Sequence, residues 1–338
     1  MATYRAMQIP AAGKDFELVS REIPSPGGED ILIKVEACGI CHSDQFAREG
    51  WWPGITYPRV PGHEVVGRVE KVGPDASMWK PGQRVGVGWH GGHCFTCDAC
   101  RHGDFVNCAQ GRVTGISRDG GYAEYMTASQ HAAALVPDEL DSYEAAPLLC
   151  AGITVYNAMR NSGARAGDTV AVQGIGGLGH LALQFARRMG FRTVALSHGD
   201  SKRKLAMELG AHHYIDTSDG KAAEELQKLG GARLILATAP VSEAISAVFD
   251  GLGRNGELLV VAGATDPIQV SPIQLIPGRR GVRGWPSGSA MDSEETLNFS
   301  GLSGVRTRIE KFPLEKANEA YAHMLANKAR FRVVLEMS

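Results

Sequence analysis

The sequence predicts an α/β protein built from a β-rich domain and a doubly wound parallel sheet. Three observations predict it. From residue 169 to 261, short buried-strand runs alternate with helical runs, the pattern of a parallel sheet with crossover helices. Residues 1 to 88 instead carry short apolar runs bounded by Gly and Pro, as in a small β barrel or sandwich. At 338 residues, the chain is long enough for two cores.

Composition narrows the function. With 43% apolar and 21% charged residues the chain has a globular balance, and a formal charge of −2 gives no reason to expect nucleic acid or an anionic membrane as partner. No stretch approaches the ~18 to 20 uninterrupted apolar residues of a membrane helix. The start, Met1-Ala2-Thr3-Tyr4-Arg5, lacks the charged-then-apolar order of a secretory signal. A cytoplasmic protein acting on a small molecule is the expectation.

In the first half, Ile31 to Ala37, Val65 to Val72 and Arg84 to Gly88 read as strands, with the chemistry on loops between them. Cys41-His42-Ser43-Asp44 and Gly62-His63-Glu64 supply a thiolate and an imidazole, two ligands of the kind an open catalytic zinc uses. Such a site needs a third ligand, which makes Cys150 a candidate although Ala145-Ala146-Pro147-Leu148-Leu149-Cys150 otherwise suits a buried apolar thiol. Cys94, Cys97, Cys100 and Cys108 form a compact thiol loop whose four thiolates would close a structural tetrahedral zinc. An iron-sulfur cluster and a disulfide pair are the alternatives there.

After Gly167-Asp168 the strand Thr169-Val170-Ala171-Val172-Gln173 leads into Gly174-Ile175-Gly176-Gly177-Leu178-Gly179 and the helical stretch from His180 to Met189. This is G-x-G-x-x-G between strand and helix, in which Gly174 turns, Gly176 admits a pyrophosphate and Gly179 lets helix and strand pack. Gly177 and Leu178 complete the loop. The second strand ends in Ser197-His198 rather than Asp or Glu, and Lys202, Arg203 and Lys204 follow. That arrangement favours the 2′-phosphate of NADP(H), with NAD(H) held through Asp200 as the alternative.

These motifs, in this order over nearly the whole chain, resemble the zinc-dependent alcohol dehydrogenases of the medium-chain dehydrogenase/reductase superfamily. The resemblance implies a GroES-like catalytic domain from 1–150 and 285–338 and a Rossmann dinucleotide-binding domain over 151–284. It implies a homodimer or homotetramer through the edge of the nucleotide-binding sheet, near residues 257 to 285. It makes Cys41, His63 and Cys150 the catalytic zinc ligands, with Glu64 able to approach the metal. Asp44 would hold His63 in its ligating orientation. Ser43 would bind the substrate oxygen and start a proton relay, His42 and Arg332 would contact the cofactor pyrophosphate, and Trp52 and Trp89 would line the pocket. Cys38 has no family role and reads as a buried thiol.

Many members carry a histidine five residues beyond the first zinc cysteine, at the outer end of the relay; here that residue is Phe46. The expected reaction is hydride transfer between a primary alcohol or aldehyde and a nicotinamide cofactor, with two zincs per chain. A zinc-free NADPH-dependent quinone or enone reductase would lack the cysteine and histidine ligands. A nucleotide-binding redox or zinc sensor would not need Ser43 and an open metal together.

Overall fold

In a computed structural model, which describes residues 2–337, the chain divides into two compact units, Met1–Cys150 with Gly288–Ser338 and Ala151–Ser287. Met1 and Ser338, the limits expected for the catalytic domain, lie outside the described residues. Among the described residues, no helix is long and apolar enough to cross a membrane.

The first unit is organised by the strand Asp30–Ile40. Its sheet runs Ile309–Pro313, Arg332–Glu336, Asp30–Ile40, Val65–Val72, Arg84–Val87, Ala133–Leu135, with Tyr125–Ser129 also paired to Asp30–Ile40. Strand residues alternate faces, and Ile31, Ile33 and Val35 accordingly join one core. Farther along, that core takes Cys38 and Ile40 instead, a change of parity. The cause is a bulge between Val35 and Ala37 in the pairing with Val65–Val72. Cys38 is fully buried in this core, the buried thiol expected, and burial pushes its pKa well up.

In the second unit six parallel strands lie in the order His213–Asp216, Arg192–Ser197, Thr169–Gln173, Ala232–Ala237, Leu252–Val260, Gly281–Gly284. Numbered along the chain this is 3-2-1-4-5-6, the dinucleotide-binding order. Thr169–Gln173 is buried at every residue, as a central strand covered on both faces should be. Helix Gly179–Arg188 follows it directly and buries Leu181, Ala182, Leu183, Phe185 and Ala186.

Candidate active site

Antiparallel pairing explains how residues far apart in sequence meet. Cys41 follows the end of Asp30–Ile40, and His63 and Glu64 precede the start of Val65–Val72, whose Val65 lies opposite Cys38. On the other side Val333 pairs with Ile40, which brings Arg332 to the same end of the sheet. Cys150 arrives on the turn Ala146–Leu149, seated because Gly86 and Gly88 leave room: a Cβ on them would lie 2.7 Å from Leu149 Cδ1 and 2.5 Å from Leu149 O.

The result is a group of donors, Cys41, His63, Glu64 and Cys150, whose ligating atoms all lie within 4.8 Å of one another. The Cys41 and Cys150 sulfurs are 3.7 Å apart. Two thiolates on a tetrahedral zinc with Zn–S of about 2.3 Å would be separated by about 3.8 Å. His63 Nδ1 lies 3.0 Å from Asp44 Oδ1, while its Nε2 is buried with no hydrogen-bond partner. An orphan buried nitrogen is costly, and a metal is the partner this set of donors suits. Asp44 thus faces the ring nitrogen opposite the unpartnered one. The Cys150 contact holds the Cys41 thiol well below its ordinary range against burial, while that contact and burial push Cys150 up. A dication would stabilise both as thiolates.

Glu64 is fully buried, and burial pushes its pKa to about 8 against the pull of Arg332. Its Oε1 accepts a hydrogen bond from Arg332 Nη2, and its Oε2 is left without a partner. Gly39 makes this possible, because a Cβ there would lie 1.9 Å from Glu64 Oε2. Arg332, expected at a pyrophosphate, is bound here to the carboxylate of Glu64. Sequence reading did not reveal that pairing.

Cys94, Cys97, Cys100 and Cys108 also converge within 4.8 Å, and none forms a disulfide. Backbone amides are aimed at the sulfurs: Cys94 N and Gln110 N donate to Cys108 Sγ, each at 3.3 Å, and Cys97 N donates to Cys94 Sγ at 3.3 Å. The Thr96 hydroxyl, foremost, with the backbone amides of Cys97 and Thr96, lowers the Cys94 thiol to about 6. Four thiol donors with no oxygen or nitrogen ligand fit a closed structural zinc.

Beside His63 stands an aromatic wall. The ring of Trp89 lies 4.9 Å from the His63 ring, Trp52 is 5.7 Å from Trp89, and Phe46 is 5.9 Å from Trp52. Phe46 therefore packs edge-on with both Trp52 and Trp89 and offers no proton-accepting group. Ser43 is half-buried two residues past Cys41, and His42 is exposed.

In the second unit, Gly174 turns the chain with φ +92°. A Cβ on Gly179 would sit 1.9 Å from Gly174 O, whereas one on exposed Gly176 would meet nothing within 4 Å. One glycine is close-packed and the other faces open space, the arrangement a phosphate-binding G-x-G-x-x-G loop requires. Gly177 and Leu178 lead into the helix, and His180 N already donates to Gly176 O. Ser197 ends its strand buried and His198 is exposed. Lys202 Nζ donates to Ile175 O at 3.0 Å, tying this region to the glycine loop. Arg203 pairs with Asp200 at 2.7 Å and lies over the Tyr214 ring, so Asp200 is engaged by a cation.

Comparison with known proteins agrees with this geometry. Residues 27–138 match the alcohol dehydrogenase GroES-like domain family, and residues 177–301 match the zinc-binding dehydrogenase family. The chain is 47% identical over 336 residues to alcohol dehydrogenase patD of Penicillium expansum, covering 99% of this chain and 98% of that one. Among solved structures, a cinnamyl alcohol dehydrogenase of Sorghum bicolor superposes with TM-score 0.89 at 31% identity, covering 99% and 98% of the two chains. CAD from Helicobacter pylori, complexed with NADP(H), superposes with TM-score 0.86 at 27% identity, again covering 99% and 98%. An enzyme fits these relatives where a sensor does not, and the thiol and imidazole donors fit zinc where a zinc-free reductase would lack them. The chain belongs to the zinc-dependent alcohol dehydrogenases of the medium-chain dehydrogenase/reductase superfamily.

Proposed function

We propose that this alcohol dehydrogenase works chiefly as an NADPH-linked reductase of primary aldehydes, aromatic or aliphatic, with an apolar pocket wall of Trp52, Trp89 and Phe46. The observation that carries the reading is the buried donor set of Cys41, His63 and Cys150, with its unpartnered Nε2 and its sulfurs 3.7 Å apart. These three residues would hold the catalytic zinc, with Glu64 in reach of it, and Cys94, Cys97, Cys100 and Cys108 would hold a structural one. Bound there, the catalytic zinc supplies Lewis acidity that polarises a carbonyl or lowers the pKa of an alcohol. The nicotinamide supplies or accepts hydride.

The chain's own residues do the rest. Ser43 hydrogen-bonds the substrate oxygen and passes its proton. Phe46 has no titratable group, so the proton leaves the pocket by a route that does not use position 46. The aromatic wall excludes water and orients an apolar tail. Gly174 to Gly179 receive the pyrophosphate, and the family resemblance gives His42 and Arg332 a role toward the cofactor as well. Ser197, His198, Lys202 and Arg203 receive the 2′-phosphate. The missing acid at the end of the second strand and the NADP(H) bound to the Helicobacter pylori relative support that preference.

We infer a homodimer or homotetramer through the sheet edge at Gly281–Gly284, where Val282 is 40% and nearby Ile273 74% exposed, with the protein in the cytoplasm. Initial rates of reduction of an aromatic and a short aliphatic aldehyde, with NADPH and NADH in parallel on protein of known zinc content, test the function. Two zincs per chain with NADPH preferred support it. Preference for NADH, or NAD-linked oxidation dominating at cellular concentrations, would overturn the cofactor and direction.

A further inference from the structure

The Asp44 carboxylate that orients His63 is 2% exposed and takes three hydrogen bonds. Oδ1 faces His63 Nδ1 at 3.0 Å. Oδ2 accepts from Cys41 N at 2.9 Å and from the hydroxyl of Tyr122 at 2.8 Å. Two of these donors belong to the metal-binding residues themselves. Tyr122 is the exception, 78 residues from Asp44.

Tyr122 is fixed with unusual completeness for a residue outside a motif. Gly120 N, Gly121 N and Tyr122 N donate to Val60 O, Gly62 O and Pro61 O at 2.8, 3.0 and 3.0 Å, clasping the segment that leads into His63. Asp119 Oδ1 adds a fourth bond, accepting from Val60 N at 3.0 Å. Glycine permits the clasp: a Cβ on Gly120 would be 2.2 Å from Gly62 O, and one on Gly62 would be 2.4 Å from Tyr122 Cδ1. The Tyr122 ring is fully buried, and the Phe16 ring meets it edge-on at 5.6 Å. One loop therefore sets both the backbone before His63 and the carboxylate behind it.

We propose that Tyr122 is a positioning residue of the catalytic metal centre, its hydroxyl holding Asp44 in the rotamer that keeps His63 Nδ1 occupied and Nε2 free for zinc. This rests on Cys41, His63 and Cys150 being that centre. Burial, foremost, keeps the Tyr122 pKa well above its ordinary value, so the hydroxyl remains a donor. A buried carboxylate that loses one of its donors is free to turn toward another, and His63 loses its fixed tautomer.

The test is zinc release from full-length enzyme to 4-(2-pyridylazo)resorcinol, with the catalytic phase identified by its absence in Cys150→Ser. Tyr122→Phe keeps the ring and removes the hydroxyl. It should speed the catalytic phase by ~3- to 10-fold, below the effect of a direct partner of a ligand, and leave the four-cysteine phase unchanged. In cobalt-substituted enzyme the visible band of the catalytic site should shift. Phe16→Leu, which loosens the ring's packing but keeps the hydroxyl, should lower Tm without changing that phase. A wild-type catalytic phase in Tyr122→Phe, or equal acceleration in Phe16→Leu, overturns the proposal. A single release phase in the wild type would instead overturn the two-zinc assignment. Should Tyr122→Phe not fold, 3-fluorotyrosine placed at 122 strengthens the donor; it slows catalytic release if Tyr122 positions Asp44, and an unchanged rate counts against it.

Discussion

Two alanine substitutions in the glycine loop should separate folding from cofactor binding, because two glycines three residues apart face different things. At Gly179 a Cβ would meet Gly174 O at 1.9 Å and Gly174 C at 2.9 Å, both backbone atoms that cannot rotate away. Helix Gly179–Arg188 would have to lift from the strand that precedes it, a strain of about 1–3 kcal/mol. For a domain of this size that is a fall in Tm of about 2–12 °C. At Gly176 a Cβ would meet nothing within 4 Å, and φ is not in the left-handed region. Gly176→Ala should thus leave Tm unchanged or raise it slightly, since the unfolded chain loses freedom. The added methyl occupies the space through which backbone approaches a pyrophosphate, and a similar strain of about 1.4–2.8 kcal/mol weakens cofactor binding by about 10- to 100-fold. Thermal unfolding without cofactor and fluorescence titration with NADPH measure the two quantities. Wild-type affinity in Gly176→Ala would refute the placement of the pyrophosphate; wild-type Tm in Gly179→Ala would refute the packing argument.

Cys150→Ser should reduce zinc from two to one per chain and lower turnover by more than ~100-fold with little change in Tm, whereas Cys97→Ala should lose the other zinc and show mainly as lowered Tm; metal analysis and calorimetry distinguish them. Trp52→Ala removes an edge contact at 5.7 Å with Trp89, and should raise KM for an aromatic aldehyde by ~5- to 10-fold, and for a short aliphatic aldehyde less. Burial holds His90 down at about 4, while an unfolded histidine titrates near 6.5. Neutral, buried His90 therefore contributes stability that is complete above pH 6.5 and lost as pH falls toward 4, a change on the order of 3 kcal/mol. His90→Gln lacks this term, so its Tm difference from wild type should shift in its favour between pH 7 and 5; a pH-independent difference would contradict it.

The residues legible in the sequence were those whose chemistry travels with local spacing. Cys41, Asp44 and His63 lie in short motifs, and the structure places Asp44 3.0 Å from His63 and Cys150 3.7 Å from Cys41. The alternation after residue 169 likewise announced a parallel sheet. Tyr122 and the Arg332–Glu64 pair carried no such sign: their contacts span 78 and 268 residues and exist only once loops and strands distant in sequence have come together. The doublet Gly120-Gly121 was the available hint, since adjacent glycines in a loop mark close backbone approach. The cations at 202–204 illustrate the opposite limit, because charge was visible but partners were not; Arg203 is paired with Asp200, and Lys202 is bonded to the Ile175 carbonyl.

A single irregularity links the candidate metal donors that the sequence keeps apart. Lys34 faces Arg68 and Val35 faces Gly67, but past the bulge Ala37 faces Val66 and Cys38 faces Val65, a register advanced by one residue. Carried on without that step, the pairing would set His63 rather than Glu64 opposite Gly39. In the bulged register it is Glu64 that lies beside Gly39, the residue whose missing Cβ leaves room for the carboxylate. A one-residue slip in a strand exchanges its two faces, so the unbulged arrangement would turn His63 away from Cys41. The residue inserted by the bulge is Glu36. Its carboxylate bonds Arg68 at 3.0 Å on the partner strand and accepts from Ser142 Oγ at 2.5 Å. Ser142 opens the helix Ser142–Ala145, and through the turn Ala146–Leu149 that helix leads to Cys150. The bulge thus fixes the register that presents His63 and Glu64, and the residue it inserts anchors the segment that delivers Cys150.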